Sequence, residues 1–285
     1  MVPKQITTLA QSLPLELNPM SIALPAVAQS EPRQQMFGIN IDVLNMKQAV
    51  ERVYSWLEQS ENRCRFVVTP NVDHVVQYQE NPELRAAYQK ASLVVADGWP
   101  LVMASRLFGK ALPERVPGSD LVPNLFSAAS NDRPLRVFLL GAAPGVAIRA
   151  AEQIHRRWEN VNVVGTYSPP IGFEKDEYEN AYILGRVALV KPDVLVVGLG
   201  APKQELWVSR FQGQLDTKVA LCVGATIDFL AGQKRRAPKF IQNIGLEWMH
   251  RMLSEPSRLV KRYAHDARVF PGLVWQQFRR EYGRY

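Results

Sequence analysis

Three polar residues stand where apolar, strand-like runs end: Thr69 and Asn71 after RFVV at 65–68, and Asp97 after SLVVA at 92–96. A β-branched apolar run that stops at a polar residue puts that residue at the carboxyl edge of a sheet, where open α/β folds hold their ligands. Partial burial behind such a run raises a carboxyl pKa, and a carboxylate kept dry there can take a proton from a hydroxyl. Asp97 is therefore the candidate general base, with Thr69 and Asn71 facing the same crevice. The competing role for Asn71 and Asp97 is to cap the helices that follow, which both residue types favour.

Two glycine-rich turns, GAAPG at 141–145 and GLGAP at 198–202, follow strands further along. Glycine lets backbone N–H groups approach a phosphate, and a following helix N-terminus adds a favourable dipole. Neither is a Walker sequence, and neither gives GxGxxG with a downstream ribose acid, so each alone reads more readily as a tight βα turn than as a phosphate site. Two in neighbouring units, with Lys203, Gln204, Glu205 and Asp228 at strand ends, point to a nucleotide pocket. No Ser/His/Asp arrangement is present. His74, His155, His250 and His265 read as structural or surface residues. With no paired acids of DxD type and no Cys/His metal spacing, no metal is expected.

These residues need a sheet to hold them, and the chain supplies strand signals alternating with helical ones. FGINIDVL from Met36 onward reads as a first strand, and Asn45 with Gln48 as a capping box for a helix over 46–59. Asn81-Pro82 restarts a helix as N-cap and first turn. WPLVMASRLFG reads as a helix ending at Gly109, and the next as a helix capped by Ser119 or Asp120. LRVFLLG, NVNVVGTY, DVLVVG and KVALCVG supply further strands with helices between them. That alternation predicts a Rossmann-like, doubly wound, mostly parallel sheet. From Pro238 the strand signal ends; the rest reads as two or three helices, with Pro256 opening the second and Pro271 breaking the third.

The 285 residues, 47% hydrophobic, suffice for a sizeable core. Cys64 and Cys222 sit in or beside apolar runs and read as buried thiols of a reducing compartment. The expected organisation is an N-terminal tail over 1–35, an α/β domain over 36–237 and a basic helical appendage over 238–285. Ala26-Val27-Ala28 resembles a signal-peptidase site, but Gln11, Pro14, Glu16, Asn18 and Pro19 interrupt the apolar region such a leader requires. No apolar run approaches the ~18 residues that span a bilayer. From Lys234 to Tyr285, twelve Lys and Arg stand against four acids, a net of +8, which leaves the first 233 residues at −1. A basic tail on a neutral body suggests an anionic partner. Arg251, Arg258, Lys261 and Arg262 can share a face opposite Trp248, Met249, Met252, Leu253, Leu259, Val260 and Tyr263, which suits a membrane surface. An ordinary helical cap with a solvated basic face has the same pattern, and a nucleic-acid-binding tail is a third reading.

TPNVDHV, VVADGWPLV, RVPGSDL, LLGAAP, VGLGAPKQE, VGATIDFLAG and RAPKFIQNIGLEWMHRMLSEPSRLVKRY, in that order, resemble the WecG/TagA/CpsF glycosyltransferases over roughly Met36 to Tyr263. The resemblance implies an inverting transferase that moves a sugar from a UDP-sugar to a polyprenyl-diphosphate-linked acceptor, commonly undecaprenyl-diphosphate-linked GlcNAc, without an essential metal or cofactor. It implies Asp97 as base, Thr69 and Asn71 orienting sugar hydroxyls, and Arg115 facing the site. Gln204 and Asp228, with the turns at Gly141, Gly198 and Gly200, would hold UDP. Arg251, Arg258 and Lys261 would close over a diphosphate. It further implies teichoic acid or exopolysaccharide synthesis at the cytoplasmic face of the plasma membrane, with self-association as one assembly state. The implied default donor sugar is N-acetylmannosamine; Pro100, where many members carry Gly, opens glucose, galactose or a uronic acid. A nucleotide-dependent oxidoreductase on a related sheet is the rival enzyme class.

Overall fold

The structure, a computed structural model, describes residues 32–61, 63–243 and 245–283, with backbone alone at 239, 243 and 258. Residues 1–31 of the expected N-terminal tail lie outside them. Arg33–Met36 (β1) pairs antiparallel with Ile39–Asp42 (β2). FGINIDVL is thus not one strand: Phe37 and Gly38 both take positive φ, 54° and 83°, and turn the chain into a two-residue hairpin.

There follow α1 (Met46–Leu57), β3 (Arg65–Val68), α2 (Val72–Glu80), α3 (Pro82–Lys90), β4 (Leu93–Val94), α4 (Trp99–Leu107), α5 (Gly118–Ser127), β5 (Leu135–Gly141) and α6 (Val146–Arg157). The second half contributes β6 (Val161–Tyr167), α7 (Glu177–Val190), β7 (Val194–Gly198), α8 (Lys203–Phe211), β8 (Val219–Cys222), α9 (Thr226–Leu230), α10 (Lys239–Asn243), α11 (Glu247–Ser254) and α12 (Pro256–Tyr282). Strands β3 to β8 form one parallel sheet in the order β4-β3-β8-β7-β5-β6. This is the expected doubly wound α/β fold.

Its apolar runs are continuous because both faces are covered. In β7, Val194 and Val196 join the core beneath α1, α5, α6 and α9, while Leu195 and Val197 join the core beneath α2, α3, α7 and α8. The chain first builds outward from β3 to β4, then from β5 to β6, and fills the centre last with β7 and β8. The carboxyl ends of β3, β8, β7 and β5 therefore stand side by side where the winding reverses, the place at which such sheets bind ligands.

Two local signals act as expected. Asn45 and Gln48 close a capping box on α1, and the Asn81 side chain accepts from the Glu83 and Leu84 amides. Helix α5 differs: Pro117 is its N-cap residue, without a side-chain bond, and Ser119 and Asp120 lie inside its first turn. Gly118, its first residue, lies against Val223, where a Cβ would come within 2.7 Å, so this start requires glycine.

The tail departs further from expectation. Helix α12 runs through Pro271 without a break and is the third helix after Pro238, not the second. An interior proline costs about 3 kcal/mol, and packing on the core opposes that cost. Phe270, Leu273, Val274 and Phe278 lie against the core beneath α2 and α3. The Phe270 ring centroid is 5.4 Å from that of Phe37, and the Gln277 side chain accepts from the Phe37 amide at 2.9 Å. The distal half of α12 is thus part of the body.

Candidate active site

The strand ends open into a cleft of about 540 Å³ lined by Thr69, Asn71, Asp97, Gly198, Gly200, Gln204, Asp228 and Arg251, among others. A second cavity of about 420 Å³ adjoins it between the body and the tail, with Trp99, Pro100, Arg115, Trp248, Tyr263 and Phe270 in its walls. Asn71, Asp97 and Arg251 belong to both.

Asp97 hangs from the turn after β3, its amide donating to the Pro70 carbonyl at 2.7 Å. It does not cap α4, whose N-cap residue is Gly98 with no side-chain bond. Burial, and then the Glu247 carboxylate, push the Asp97 pKa up to about 6, against the opposing charges of Arg251, Arg115 and His74. A carboxylate in that range is ionised at neutral pH and basic enough to accept a proton from a hydroxyl in a transition state.

Asn71 performs both roles open to it. It caps α2, its side chain accepting from the His74 amide at 3.2 Å, and it also faces the cleft. His74, read from sequence as structural or surface, is buried in the cleft wall, with Nδ1 2.9 Å from Asn71 Oδ1 and Nε2 3.4 Å from Glu205 Oε1. Burial of the ring opposes its charging, but the hydrogen bond and charge of Glu205, aided by Asp73 and Asp97, outweigh burial and raise its pKa. Gln204 Nε2 donates to Glu205 Oε1 at 2.7 Å, and Gln204 Oε1 accepts from the Gly224 amide at 3.1 Å. The one sequence signal for His74 was its position three residues after an Asn cap, the capping-box spacing.

The glycine turns are packed together. A Cβ on Gly141 would fall 2.5 Å from the Gly198 carbonyl oxygen, so these two turns require glycine to meet. Gly141 is absent from the cleft lining and acts as a brace, while Ala142, Ala143, Gly198 and Gly200 form the wall itself.

Cationic side chains ring the first cleft, and most already have an acid: Lys203 with Glu174 at 3.3 Å, Lys234 with Glu255 at 3.0 Å and Arg262 with Asp73 at 2.9 Å. Asp228, in α9, lies 4.0 Å from the same Lys234. Among the described residues no carboxylate is within ion-pair distance of Arg251. Arg115 lines the second cavity and pairs with Glu247 at 3.0 Å. Glu247 also meets Arg236 at 3.2 Å, and Arg236 reaches both oxygens of Asp120. Lys261 is exposed and lines neither cavity. Arg258 lies in α12, and its side chain is outside the described residues. Lys234 and Arg262, which sequence reasoning did not assign to the site, do line the first cleft.

Cys64 and Cys222 are buried free thiols. Among the described residues no group of three His, Cys, Asp or Glu is placed to hold a metal ion, and no helix is long and apolar enough to cross a membrane.

A family model described as "Glycosyl transferase WecG/TagA/CpsF family" matches residues 34–284. A Bacillus spizizenii protein named N-acetylglucosaminyldiphosphoundecaprenol N-acetyl-beta-D-mannosaminyltransferase is 32% identical over 230 residues, covering 81% of this chain and 85% of its own. A Staphylococcus aureus (strain MRSA252) protein of the same name is 31% identical over 227 residues, covering 79% and 85%.

Proposed function

From the premise that this chain belongs to the WecG/TagA/CpsF family and is a glycosyltransferase, we propose that it transfers N-acetylmannosamine from a UDP-sugar to undecaprenyl-diphosphate-linked GlcNAc, with inversion at the anomeric carbon. The observation that carries this reading is the meeting of two cavities at one carboxylate. The first cleft suits a nucleotide diphosphate: glycine turns form its wall, and Lys203, Lys234, Arg251 and Arg262 line it. The second, with Trp99, Trp248, Tyr263 and Phe270 beside Arg115, suits a sugar and the start of a lipid. Asp97 lies on both.

In the proposed reaction Asp97 takes the proton of an acceptor hydroxyl as its oxygen bonds to the anomeric carbon, from the face opposite UDP. The bond from that carbon to the diphosphate breaks, and its electrons leave with UDP. Arg251, which belongs to both cavities, is the cation best placed to meet the charge that develops. Thr69 and Asn71 orient sugar hydroxyls beside the base. Gln204 and Asp228 hold the nucleotide. No step calls for a metal.

The protein would work peripherally on the inner face of the plasma membrane, where such a lipid acceptor is reached. Phe240, Trp248, Leu253 and Val260 are 72%, 45%, 72% and 46% exposed, an apolar surface on a basic tail. The test is UDP release from a panel of UDP-sugars, with and without short-chain polyprenyl-diphospho-GlcNAc, in EDTA. Release dependent on that acceptor from UDP-N-acetylmannosamine is the expected result. Acceptor-dependent release from another UDP-sugar would correct the sugar, and failure to bind any UDP-sugar would overturn the reading.

A further inference from the structure

Glu205 is fully buried, 0% exposed, in the first turn of α8, and has no role of its own in the proposed chemistry. A buried carboxylate is costly unless it is paired and hydrogen-bonded. Its Oε1 receives Gln204 Nε2 at 2.7 Å and lies 3.4 Å from His74 Nε2, whereas its Oε2 is enclosed without a partner among the described residues. Each of those two partners then reaches a different side of the cleft. His74 holds Asn71, at the junction of the two cavities, and Gln204 holds the Gly224 amide in the turn after β8.

The geometry points to Glu205 and His74 as a positioning pair for this transferase: one buried carboxylate, with an imidazolium as its counter-ion, fixes the acceptor-side Asn71 and the nucleotide-side Gly224 turn and sets a positive charge beside Asp97. Neither residue is given a proton-transfer role. The inference rests on the reading of Asp97 and Asn71 above. The groups facing the pair are Asp73 on the ring's own helix, Asp97 after β4, Tyr88 on α3, Cys222 on β8 and, from α12, Arg262 and Asp266. Arg262 is paired with Asp73, and burial keeps Tyr88 and Cys222 protonated. Glu205 is accordingly the strongest of the groups that favour the charged form of His74.

Glu205→Gln preserves shape and hydrogen bonding but removes the charge. His74 should then lose its proton near neutrality, and the positive charge that lowers the Asp97 pKa goes with it. The acid limb of the kcat/KM profile, set by Asp97, should move to higher pH, and kcat/KM at pH 7 should fall by roughly tenfold, the scale of a coupled pair. His74→Asn should move the limb the same way, and the double variant should fall little further than either alone. A purely structural pair would lower the rate in parallel at every pH, and an unmoved limb would overturn the inference.

An NMR titration of the His74 ring in the unsubstituted enzyme needs no variant to fold and does not require Asp97 to be the catalytic base. A ring still protonated at pH 7 supports the pair. A ring neutral by pH 6 overturns it, whatever the outcome at Asp97. Turnover that survives Asp97→Asn would instead remove the base from the reading while leaving this titration intact.

Discussion

The cleft has two sides built on different principles. The sheet side consists of turns held by the main chain: Asp97 hangs from Pro70, Gly141 meets Gly198, and Gln204 binds the Gly224 amide, all behind strands with no exposed apolar residue. The tail side is held to the body near the site by side-chain charges, Glu247 with Arg115 and Arg236, Arg236 with Asp120, and Arg262 with Asp73. Helix α11 has no buried residue at all. Buried hydrogen-bonded turns preorganise a base, whereas part-exposed ion pairs hold a segment that can release a product. On the proposed reading the sheet side holds the base, and the tail side captures the lipid-linked substrate and brings one cation, Arg251, to the reaction.

The largest expected effect lies on the sheet side. Asp97→Asn should leave the fold intact and lower turnover by about two or more orders of magnitude, within the range general bases contribute. Near-normal turnover in that variant, measured by UDP release, would remove the base from that side altogether. Arg251→Ala comes next, because Arg251 spans both cavities and has no competing carboxylate among the described residues. A loss of roughly 10²-fold in kcat, the scale for one preorganised donor, with a smaller change in donor KM, is expected. A change confined to KM would make Arg251 a ground-state contact and sharpen the contrast, leaving the chemistry to the sheet side alone.

That division was only partly legible in the sequence. The parallel sheet and the edge positions of Thr69, Asn71 and Asp97 followed from apolar runs that end in polar residues, because burial on both faces writes itself into composition. The clustering of Gly141 with Gly198 did not, since it depends on strand order, with β7 inserted beside β5 long after β5 is made. His74 was missed because its partner Glu205 lies on a distant helix, and only the tertiary fold brings the ring and the carboxylate together. Pro271 misled for the opposite reason: a strong local rule yielded to the packing of Phe270 and Phe278. The same packing means that cutting the chain at 238 removes core contacts along with any membrane contact, so point substitutions are the cleaner probe of the tail.

The two sides also meet through electrostatics, and pH separates their contributions. With its pKa near 6, Asp97 is protonated and inactive as a base below that pH, so kcat/KM should fall as pH drops through 6. Glu247, on the tail, raises that pKa, and Arg251 lowers it. Glu247→Gln should therefore move the acid limb to lower pH and make the variant relatively more active near pH 5 than the parent, by a few fold. Arg251→Gln should move it the other way. If neither limb moves, the tail is electrostatically remote from the base in solution.

The smallest effect is expected at Lys261, and it tests where the tail's catalytic part ends. Lys261 is exposed, lines neither cavity and is ten residues beyond Arg251, so Lys261→Ala should leave kcat and KM for a short-chain, soluble acceptor within about twofold, as for most surface substitutions. Its charge should matter only at an anionic surface, where one Lys near the headgroups contributes about 1 kcal/mol and loses that contribution as salt screens it. Binding to vesicles containing anionic lipid should then weaken about fivefold at low salt, with the gap from the parent closing as salt rises. A tenfold loss with the soluble acceptor would mean that α12 turns Lys261 into the cleft during turnover, and the boundary between substrate capture and chemistry would have to move along that helix.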